Sequence, residues 1–279
     1  MRSISRSLMV GTRRILRTLG WDLVRREWAD IGRLTELTAK HVVDLTPFVL
    51  ATLRQANRQP FFVQIGANDG SRGDAFGPLI ENFDLPGLLV ETQPDAFREL
   101  VRRYIGRTNL RFENVAIASS AGRVTMYRFD RRSEKHLQLD VYTSLDRARL
   151  EDAKARHRLQ AGIESISVPA LTVNDLLSRH RISDVSIFVI DTEGYDYEVI
   201  KLIDLPRLRP ALIQFEHRLL AGDVRQQCYV HLMDAGYRLC LGRHDTFAVR
   251  PAHELWADRP DSVAGHQGRG AHTTEPHSR

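Results

Sequence analysis

An apolar run that breaks into a glycine-rich turn constrains this chain more than any other feature of its sequence. In FFVQIGANDGSRGD, residues 61–74, the run ends at Ile65 and is followed by Gly-Ala-Asn-Asp-Gly. A short apolar run bounded by turn residues is typical of a buried β-strand. A glycine directly after it lets the backbone turn sharply and approach a ligand closely. The stretch therefore predicts a strand that ends in a turn suited to holding a ligand.

Strand and helix patterns alternate through most of the remaining chain. The expected strands are residues 61–65, 87–90, 111–117, 185–190 and 211–215, and the expected helices are residues 73–83, 94–105, 172–180, 194–203 and 223–235. Such alternation is typical of a mostly parallel sheet that is covered by helices on both faces. The predicted fold class is therefore α/β, with a Rossmann-like sheet.

Three segments depart from this alternation and predict the domain organisation. Residues 1–55 form a basic amphipathic helical segment, with seven arginines and one acid in its first 26 residues. This segment is interpreted as an outer helix, a targeting peptide or a contact with an anionic membrane surface. Residues 122–161 are expected to be a charged insertion, either solvated or facing a substrate, in which Thr143 or Ser144 caps a helix at about residues 145–160. Residues 251–279, rich in Pro, Gly, Ser and His, predict a disordered tail after a domain at 56–250.

Composition restricts the location and the partners. No apolar stretch approaches the length of about 20 residues that spans a bilayer. Cys228 and Cys240 are too few for a disulfide framework, and no Cys/His spacing indicates zinc. We therefore expect a reducing, cytoplasmic location, including the alternative of peripheral contact at the inner membrane face. The arginines are scattered and no basic-aromatic surface is evident, so a nucleic acid is not the expected partner.

An acid after the second strand indicates the kind of ligand. Glu91 closes GLLVE, twenty-one positions after Gly70, and an acid at about this spacing binds ribose hydroxyls. The dinucleotide pattern would need glycines where Asn68 and Ser71 stand, and no Gly-Lys-Ser/Thr follows for a phosphate loop. These residues predict a ligand that contains adenosine but no phosphate, S-adenosylmethionine.

The chain resembles the FkbM-type S-adenosylmethionine-dependent methyltransferases over about residues 60–250. The motifs that carry the resemblance are VQIGANDG, LLVETQP, RFENVAIASSAGRVTMY, LTVNDLL, FVIDTEGYDYEVIKLID and LIQFEH. The resemblance implies the class I methyltransferase fold and methylation of hydroxyl oxygens on sugars or natural products. It implies cofactor contacts by Gly66, Asn68, Gly70, Glu91, Asn114 and Ala116. Gln64 stands where the family commonly has an acid, which implies a different contact with the cofactor's amino group.

The ends of two later strands carry the residues that are suited to chemistry. Asp191 and Glu193 follow one strand, and Glu216 and His217 end the next. Because the carboxyl ends of neighbouring parallel strands meet at one rim, we expect these four side chains to lie together. A hydroxyl is a weak nucleophile, so His217 is the expected general base, oriented by Asp191 and Glu216. A divalent metal ion held by Asp191, Glu216 and His217 is the alternative, and metal dependence stays open.

The sequence therefore predicts an S-adenosylmethionine-dependent O-methyltransferase whose partner is a small-molecule or glycan hydroxyl acceptor. Two alternatives stay open. One is a non-catalytic interaction module that keeps the fold and binds membranes through its basic N-terminal segment. The other is an NAD-dependent oxidoreductase, which the glycine spacing disfavours.

Overall fold

The structure, a computed structural model, describes residues 22–24, 45–56, 58–71, 76–130, 143–251 and 254 of the 279-residue chain. Its helices are α1 Thr46–Gln55, α2 Gly77–Phe83, α3 Pro94–Arg103, α4 Arg147–His157, α5 Val173–Arg179, α6 Asp196–Lys201, α7 Leu205–Leu208 and α8 Gly222–Asp234. Its strands are β1 Asp22–Val24, β2 Phe62–Ile65, β3 Gly87–Val90, β4 Leu110–Glu113, β5 Ala116–Ile117, β6 Gly122–Phe129, β7 Thr143–Ser144, β8 Ile163–Leu171, β9 Ile187–Ile190, β10 Leu212–Glu216, β11 Arg238–Leu241 and β12 Asp245–Val249.

Among the described residues, eight strands form the main sheet, in the order β1-β11-β12-β10-β9-β2-β3-β4. Strands β4, β3, β2, β9 and β10 are parallel, and β12 runs antiparallel to both β10 and β11. This is the strand arrangement of the class I methyltransferase fold, and it confirms the predicted fold class. The chain order reverses between β2 and β9, so the ligand crevice of such a sheet lies beyond the carboxyl ends of these two strands.

The alternation of side chains along the central strands divides the core into two layers. Strand β9 is buried at all four positions. Ile187 and Val189 pack with residues of α1, α2 and α3, whereas Phe188 and Ile190 pack with residues of α5, α6 and α8. Burial on both faces is what a near-continuous apolar run predicts for a central parallel strand. The two helix layers hold the strand ends, and the turns that follow them, in fixed positions.

A second sheet lies among the described residues, with the strand order β5-β8-β6-β7. Strands β6 and β8 pair antiparallel from Gly122 opposite Ala170 to Phe129 opposite Ile163. The sequence patterns did not predict β8, because its residues lie too far from their partners in β6 for a local pattern to show the pairing. The segment interpreted as an insertion at residues 122–161 therefore contributes β6, β7 and α4.

The cap of α4 differs from the expected one. Thr143 or Ser144 was expected to cap this helix, but both residues lie in β7, opposite Arg128 and Tyr127 of β6. The N-cap is Asp146, which accepts a hydrogen bond from the Ala148 N–H at 2.9 Å. Pairing with β6 draws Thr143 and Ser144 into a strand, and the next acid along the chain then starts the helix.

A short strand lies within the segment that was expected to be helical. β1 pairs antiparallel with β11, with Leu23 opposite Cys240. A strand at the edge of a sheet has backbone N–H and C=O groups without a partner strand. A second extended segment can form hydrogen bonds with these groups, whereas the backbone groups of a helix bond within the helix. Most of residues 1–55 and nearly all of residues 251–279 lie outside the described residues, so the amphipathic segment, its membrane contact and the disordered tail stay predictions. Within the described part of the chain, no helix is long and apolar enough to cross a bilayer.

Candidate active site

The turn after β2 is held by backbone hydrogen bonds and by one buried carboxylate. The Gly66 N–H donates to the Val90 carbonyl at 2.9 Å. Asn68 has a left-handed backbone, and its N–H donates to Glu91 Oε2 at 2.8 Å. The other carboxylate oxygen of Glu91 accepts from the Gln93 N–H at 2.6 Å. Glu91 therefore ties the turn after β2 to the end of β3.

Gly66 brings two strand ends into close approach. Its φ of 87° lies in the left-handed region that favours glycine. A Cβ atom at this position would lie 1.7 Å from the backbone carbonyl oxygen of Asp191, at the end of β9. Gly70 also has a positive φ, of 71°, but its missing side chain faces Leu100 and Tyr104 around α3. Gly70 thus packs the turn against α3, whereas Gly66 keeps the crevice narrow.

A cavity lies at the carboxyl ends of β2, β3 and β9. It contains about 630 Å³ of empty space, part of it open to solvent. We call it the inner cavity. It is lined by Gly66, Asn68, Glu91, Thr92, Gln93, Ala116, Ile117, Met126, Thr143, Ser144, Leu145, Asp191, Thr192, Glu193 and Tyr195. Turns from three strands of the main sheet thus meet residues of the second sheet around one space.

Six of the residues named from the sequence line this cavity: Gly66, Asn68, Glu91, Ala116, Asp191 and Glu193. Burial raises the pKa of Glu91 to about 7, against the opposing effect of the hydrogen bonds that it accepts. Such a shift, in a group that faces a cavity, is characteristic of functional sites.

Three expected cofactor residues do not line the inner cavity. Gln64 is buried within β2, on the same side of the sheet as Phe62 and the α1–α3 layer. Gly70 lies against α3. The Asn114 amide donates to the Glu91 and Thr92 carbonyls at 2.7 and 3.1 Å, so it positions the end of β3 from behind the residues that line the inner cavity. Each supports the site from the sheet or the loops, because its side chain or its missing Cβ faces away from the space.

Carboxyl groups cluster where β9 and β10 end. Glu193 is half-buried in a left-handed backbone conformation, with φ of 53°. Burial, together with the nearby carboxyls of Asp191, Glu216 and Asp196, raises the pKa of Glu193 to about 8. Burial also raises the pKa of Glu216. A carboxyl group with a pKa near 8 exchanges its proton close to neutral pH, as a general base must.

Asp196 organises this cluster and was missed in the sequence. It is fully buried; its Oδ2 accepts from the Gly194 N–H at 3.1 Å and the Thr192 hydroxyl at 3.2 Å, and its Oδ1 accepts from the Glu216 N–H at 3.3 Å. Burial raises its pKa well above the usual range. Its position at the start of α6 was the available signal, but an acid in the first turn is common in any helix.

His217 does not line the inner cavity with the acids, so the expectation that the four side chains lie together is wrong for this residue. Its ring is buried, with Nδ1 3.0 Å from Thr246 Oγ1 and its edge towards Tyr229. Successive side chains of an extended strand point to opposite sides of the sheet. His217 therefore points towards β12 and α8, and Glu216 points to the opposite side. Burial lowers the pKa of His217 to about 4, which favours the neutral ring.

The arrangement of the proposed metal ligands is also corrected. Glu216 does not line the inner cavity; one of its carboxylate oxygens accepts from Arg218 Nε at 3.1 Å. With His217 turned away, Asp191, Glu216 and His217 do not converge. In the described ranges, no group of three His, Cys, Asp or Glu side chains is arranged to hold a metal ion.

A second cavity adjoins the first on the side of α4. Thr143, Ser144 and Glu193 line both spaces, and Arg149, Arg156 and Arg218 line the second alone. We call this space the outer cavity. Nothing in the local sequence around Thr143, Ser144 or the three arginines indicates that these residues share one wall.

Comparison with known proteins identifies a family. The family described as "Methyltransferase FkbM domain" matches residues 64–239. No protein among curated sequences matches the chain.

Solved structures resemble the chain at low identity. An FkbM methyltransferase from Methylobacillus flagellatus KT is 12% identical with a TM-score of 0.43, over 68% of this chain and 43% of that chain. A precorrin-6y C5,15-methyltransferase from Geobacter metallireducens GS-15 is 13% identical with a TM-score of 0.37, over 77% of this chain and 93% of that chain. Fibrillarin from Aeropyrum pernix, with natively bound S-adenosyl-L-methionine, is 12% identical with a TM-score of 0.34, over 72% of this chain and 74% of that chain. This chain therefore covers less than half of the first of these proteins.

Proposed function

The chain belongs to the FkbM methyltransferase family, and on this premise we propose that it is an S-adenosylmethionine-dependent O-methyltransferase acting on a hydroxyl of a sugar, a glycan or a small natural product. The observation that carries the proposal is the family match over residues 64–239. These residues include nearly all of the strands and turns that build the inner cavity.

The inner cavity suits this cofactor. Glu91 places a buried carboxylate where ribose hydroxyls are bound in folds of this type. Ile117 and Met126 offer an apolar wall for a purine, and Gly66 leaves the backbone uncovered by a side chain. The acid Asp191 complements a positively charged ligand. When bound, S-adenosylmethionine supplies a methyl group whose bond to sulfur breaks as its bond to the acceptor oxygen forms, with the electron pair left on sulfur.

Glu193 is the proposed general base. It lines both cavities, so it lies where a hydroxyl group in the outer cavity would face the inner one. Its carboxylate accepts the proton that the hydroxyl loses, and its raised pKa matches that task near neutral pH. Much of the remaining rate enhancement in such an in-line transfer comes from holding the two reactants close together in the reactive orientation. Asp196 contributes to this by holding the turn that carries Glu193.

Calorimetric titration of the full chain with S-adenosylmethionine, and separately with NAD, tests the proposal. We expect binding of S-adenosylmethionine alone, and loss of that binding in Glu91→Ala. Since Glu91 also ties two turns together, circular dichroism and thermal unfolding have to show that the variant is folded. Binding of NAD alone would favour an oxidoreductase. Binding of neither ligand by the folded wild-type chain would reject the methyltransferase assignment of the cavity.

A further inference from the structure

The outer cavity is lined mainly by basic residues among its ionisable side chains, whereas acids line the inner cavity. It contains about 690 Å³ of empty space, part of it open to solvent. Arg149, Arg156, His157 and Arg218 line it, and Glu193, at the border with the inner cavity, is the acid among the residues of its wall. In contrast, the described wall of the inner cavity has three acids, Glu91, Asp191 and Glu193, and no basic residue.

The three arginines of the outer cavity differ in whether a carboxylate among the described residues pairs with them. Arg149 donates to the backbone carbonyls of Leu219 and Gly194, the second at 3.3 Å. Arg156 donates to the Asp152 carbonyl of its own helix at 3.4 Å. No carboxylate among the described residues pairs with either one. Arg218 alone of the three forms an ion pair, with Glu216.

The three arginines of the outer cavity differ in exposure. Arg149 is part-buried and held between two carbonyl groups, on top of Gly194 in the turn that carries Glu193. Arg156 is exposed at the mouth, and the Arg218 side chain is 56% exposed. Guanidinium groups are suited to phosphate and carboxylate because their donors match the geometry of these anions.

We propose that the outer cavity is the acceptor subsite and that it binds a hydroxylated molecule carrying an anionic group, a phosphate or a carboxylate. The anionic group contacts Arg156 and Arg218, and the hydroxyl group lies near Glu193, where the two cavities meet. This inference rests on the proposed methyltransferase function. The basic wall of the outer cavity suits an anionic acceptor, and the acids of the inner cavity suit a cationic cofactor.

Binding of small anions to the full chain tests the proposal directly. Inorganic phosphate and acetate are titrated by calorimetry at an ionic strength held constant with chloride, in the presence of saturating S-adenosylmethionine. We expect saturable binding of at least one anion, and the tighter of the two identifies the acceptor's charged group. Arg156→Gln and Arg218→Gln should each weaken that binding by about fivefold, because each removes one partly screened charge-assisted contact.

Arg147→Gln is the matched control. Arg147 lies on the same helix as Arg156, is exposed, pairs with Glu151 at 3.2 Å and does not line the cavity. It should bind the anion as the wild-type chain does. Absence of saturable binding, binding that survives in both test variants, or an equal loss in Arg147→Gln would overturn the proposal.

The outcomes also separate this inference from the proposed function. If S-adenosylmethionine binds and neither anion does, the acceptor proposal fails and the methyltransferase assignment stands. If an anion binds through Arg156 and Arg218 but S-adenosylmethionine does not bind, the proposed function fails, and the assignment of the outer cavity to a methyl acceptor fails with it.

Discussion

Individual carboxyl groups in this site do different work because each has a different environment. Glu91 is buried and accepts two backbone N–H groups, so it shapes the turn as well as facing the cavity. Asp196 is fully buried and accepts three hydrogen bonds, so it is a structural support. Glu193 borders both cavities among other acids, and it combines access with a raised pKa. Burial and hydrogen bonding, rather than residue type, therefore assign the roles.

Replacement of Gly66 tests the close approach of β2 and β9. Gly66→Ala should destabilise the protein by roughly 3 kcal/mol, because a side chain is forced into a left-handed position and against the Asp191 carbonyl. Gly106→Ala is the control: its φ is 85°, against 87° for Gly66, but no atom lies within 4 Å of an added Cβ. That variant should lose about 1 kcal/mol. Urea unfolding measures both, and equal losses would refute the proposed contact.

Replacement of Glu193 tests the general base. Glu193→Gln should lower kcat by about 100-fold or more and leave the affinity for S-adenosylmethionine within about threefold. Wild-type kcat should rise as the pH passes about 8, because the carboxyl then loses its proton, and this rise should vanish in the variant. Release of S-adenosylhomocysteine measures both.

Glu198→Gln makes the same charge change on α6, where Glu198 pairs with Lys201 at 2.8 Å on the surface. Its kcat and pH profile should match the wild type. A Glu193→Gln enzyme that kept the rise near pH 8 would assign that pKa to another group.

At the scale of helices and strands, the site is built where parallel strands end and where the second sheet approaches them. β2, β3 and β9 supply the turns of the inner cavity, and β6 and β7 supply Met126, Thr143 and Ser144. Helix α4 adds Arg149 and Arg156 of the outer cavity, and Arg218 follows β10. The proposed catalytic and cofactor groups thus come from the main sheet, whereas the proposed acceptor contacts come from the insertion, with Arg156, and from the segment after β10, with Arg218.

Replacement of Asp196 tests the link between the turn after β9 and the end of β10. Asp196→Asn should destabilise the protein by about 2 kcal/mol, because an amide replaces one of two accepting oxygens and faces buried N–H donors. Asp204→Asn is the control, since Asp204 caps α7 at the surface and Asn serves equally well there. Chemical unfolding compares them, and similar small losses in both variants would show that the link has no structural importance.

At the scale of the whole molecule, the buried ring of His217 makes stability depend on pH. His217 lies between β10, β12 and α8, with Thr246 and Tyr229 as neighbours. After burial itself, the positive charge of Arg225 contributes most to lowering its pKa, and His244 adds to it, while a hydrogen bond with the Asp245 backbone opposes them. The protonated ring is therefore unfavourable in the folded state.

Acid should consequently weaken the fold through His217. The folded pKa of about 4 lies below the ordinary value of 6.5, so the unfolded chain takes up a proton first as the pH falls. The stabilising contribution is present above about pH 6.5 and is lost progressively towards pH 4, by up to about 3 kcal/mol. His217→Gln should show a smaller loss of unfolding free energy over this range in urea titrations. Parallel curves for the two proteins would show that His217 does not titrate in this way.

The sequence by itself determined the alternation of strands and helices, the turn after β2 and the position of Glu91. Each depends on a short local pattern: an apolar run, a glycine where the backbone turns, and an acid at a strand end. The same reasoning correctly brought Asp191 and Glu193 to the rim, because parallel strands end on one side of a sheet. It was wrong for His217, since the residue after Glu216 points to the other side.

Only the tertiary structure decided how distant segments meet. β6 pairs with β8 across about 40 residues of chain and also pairs with β7, and these pairings place Met126 and Ser144 against turns of the main sheet. The same arrangement brings Arg156 of α4 and Arg218, beyond β10, to one cavity. No local pattern marks such residues, because their meeting depends on the packing of a complete second sheet rather than on periodicity. For the same reason, the burial that sets the pKa of Glu193 and His217 exists only in the folded chain.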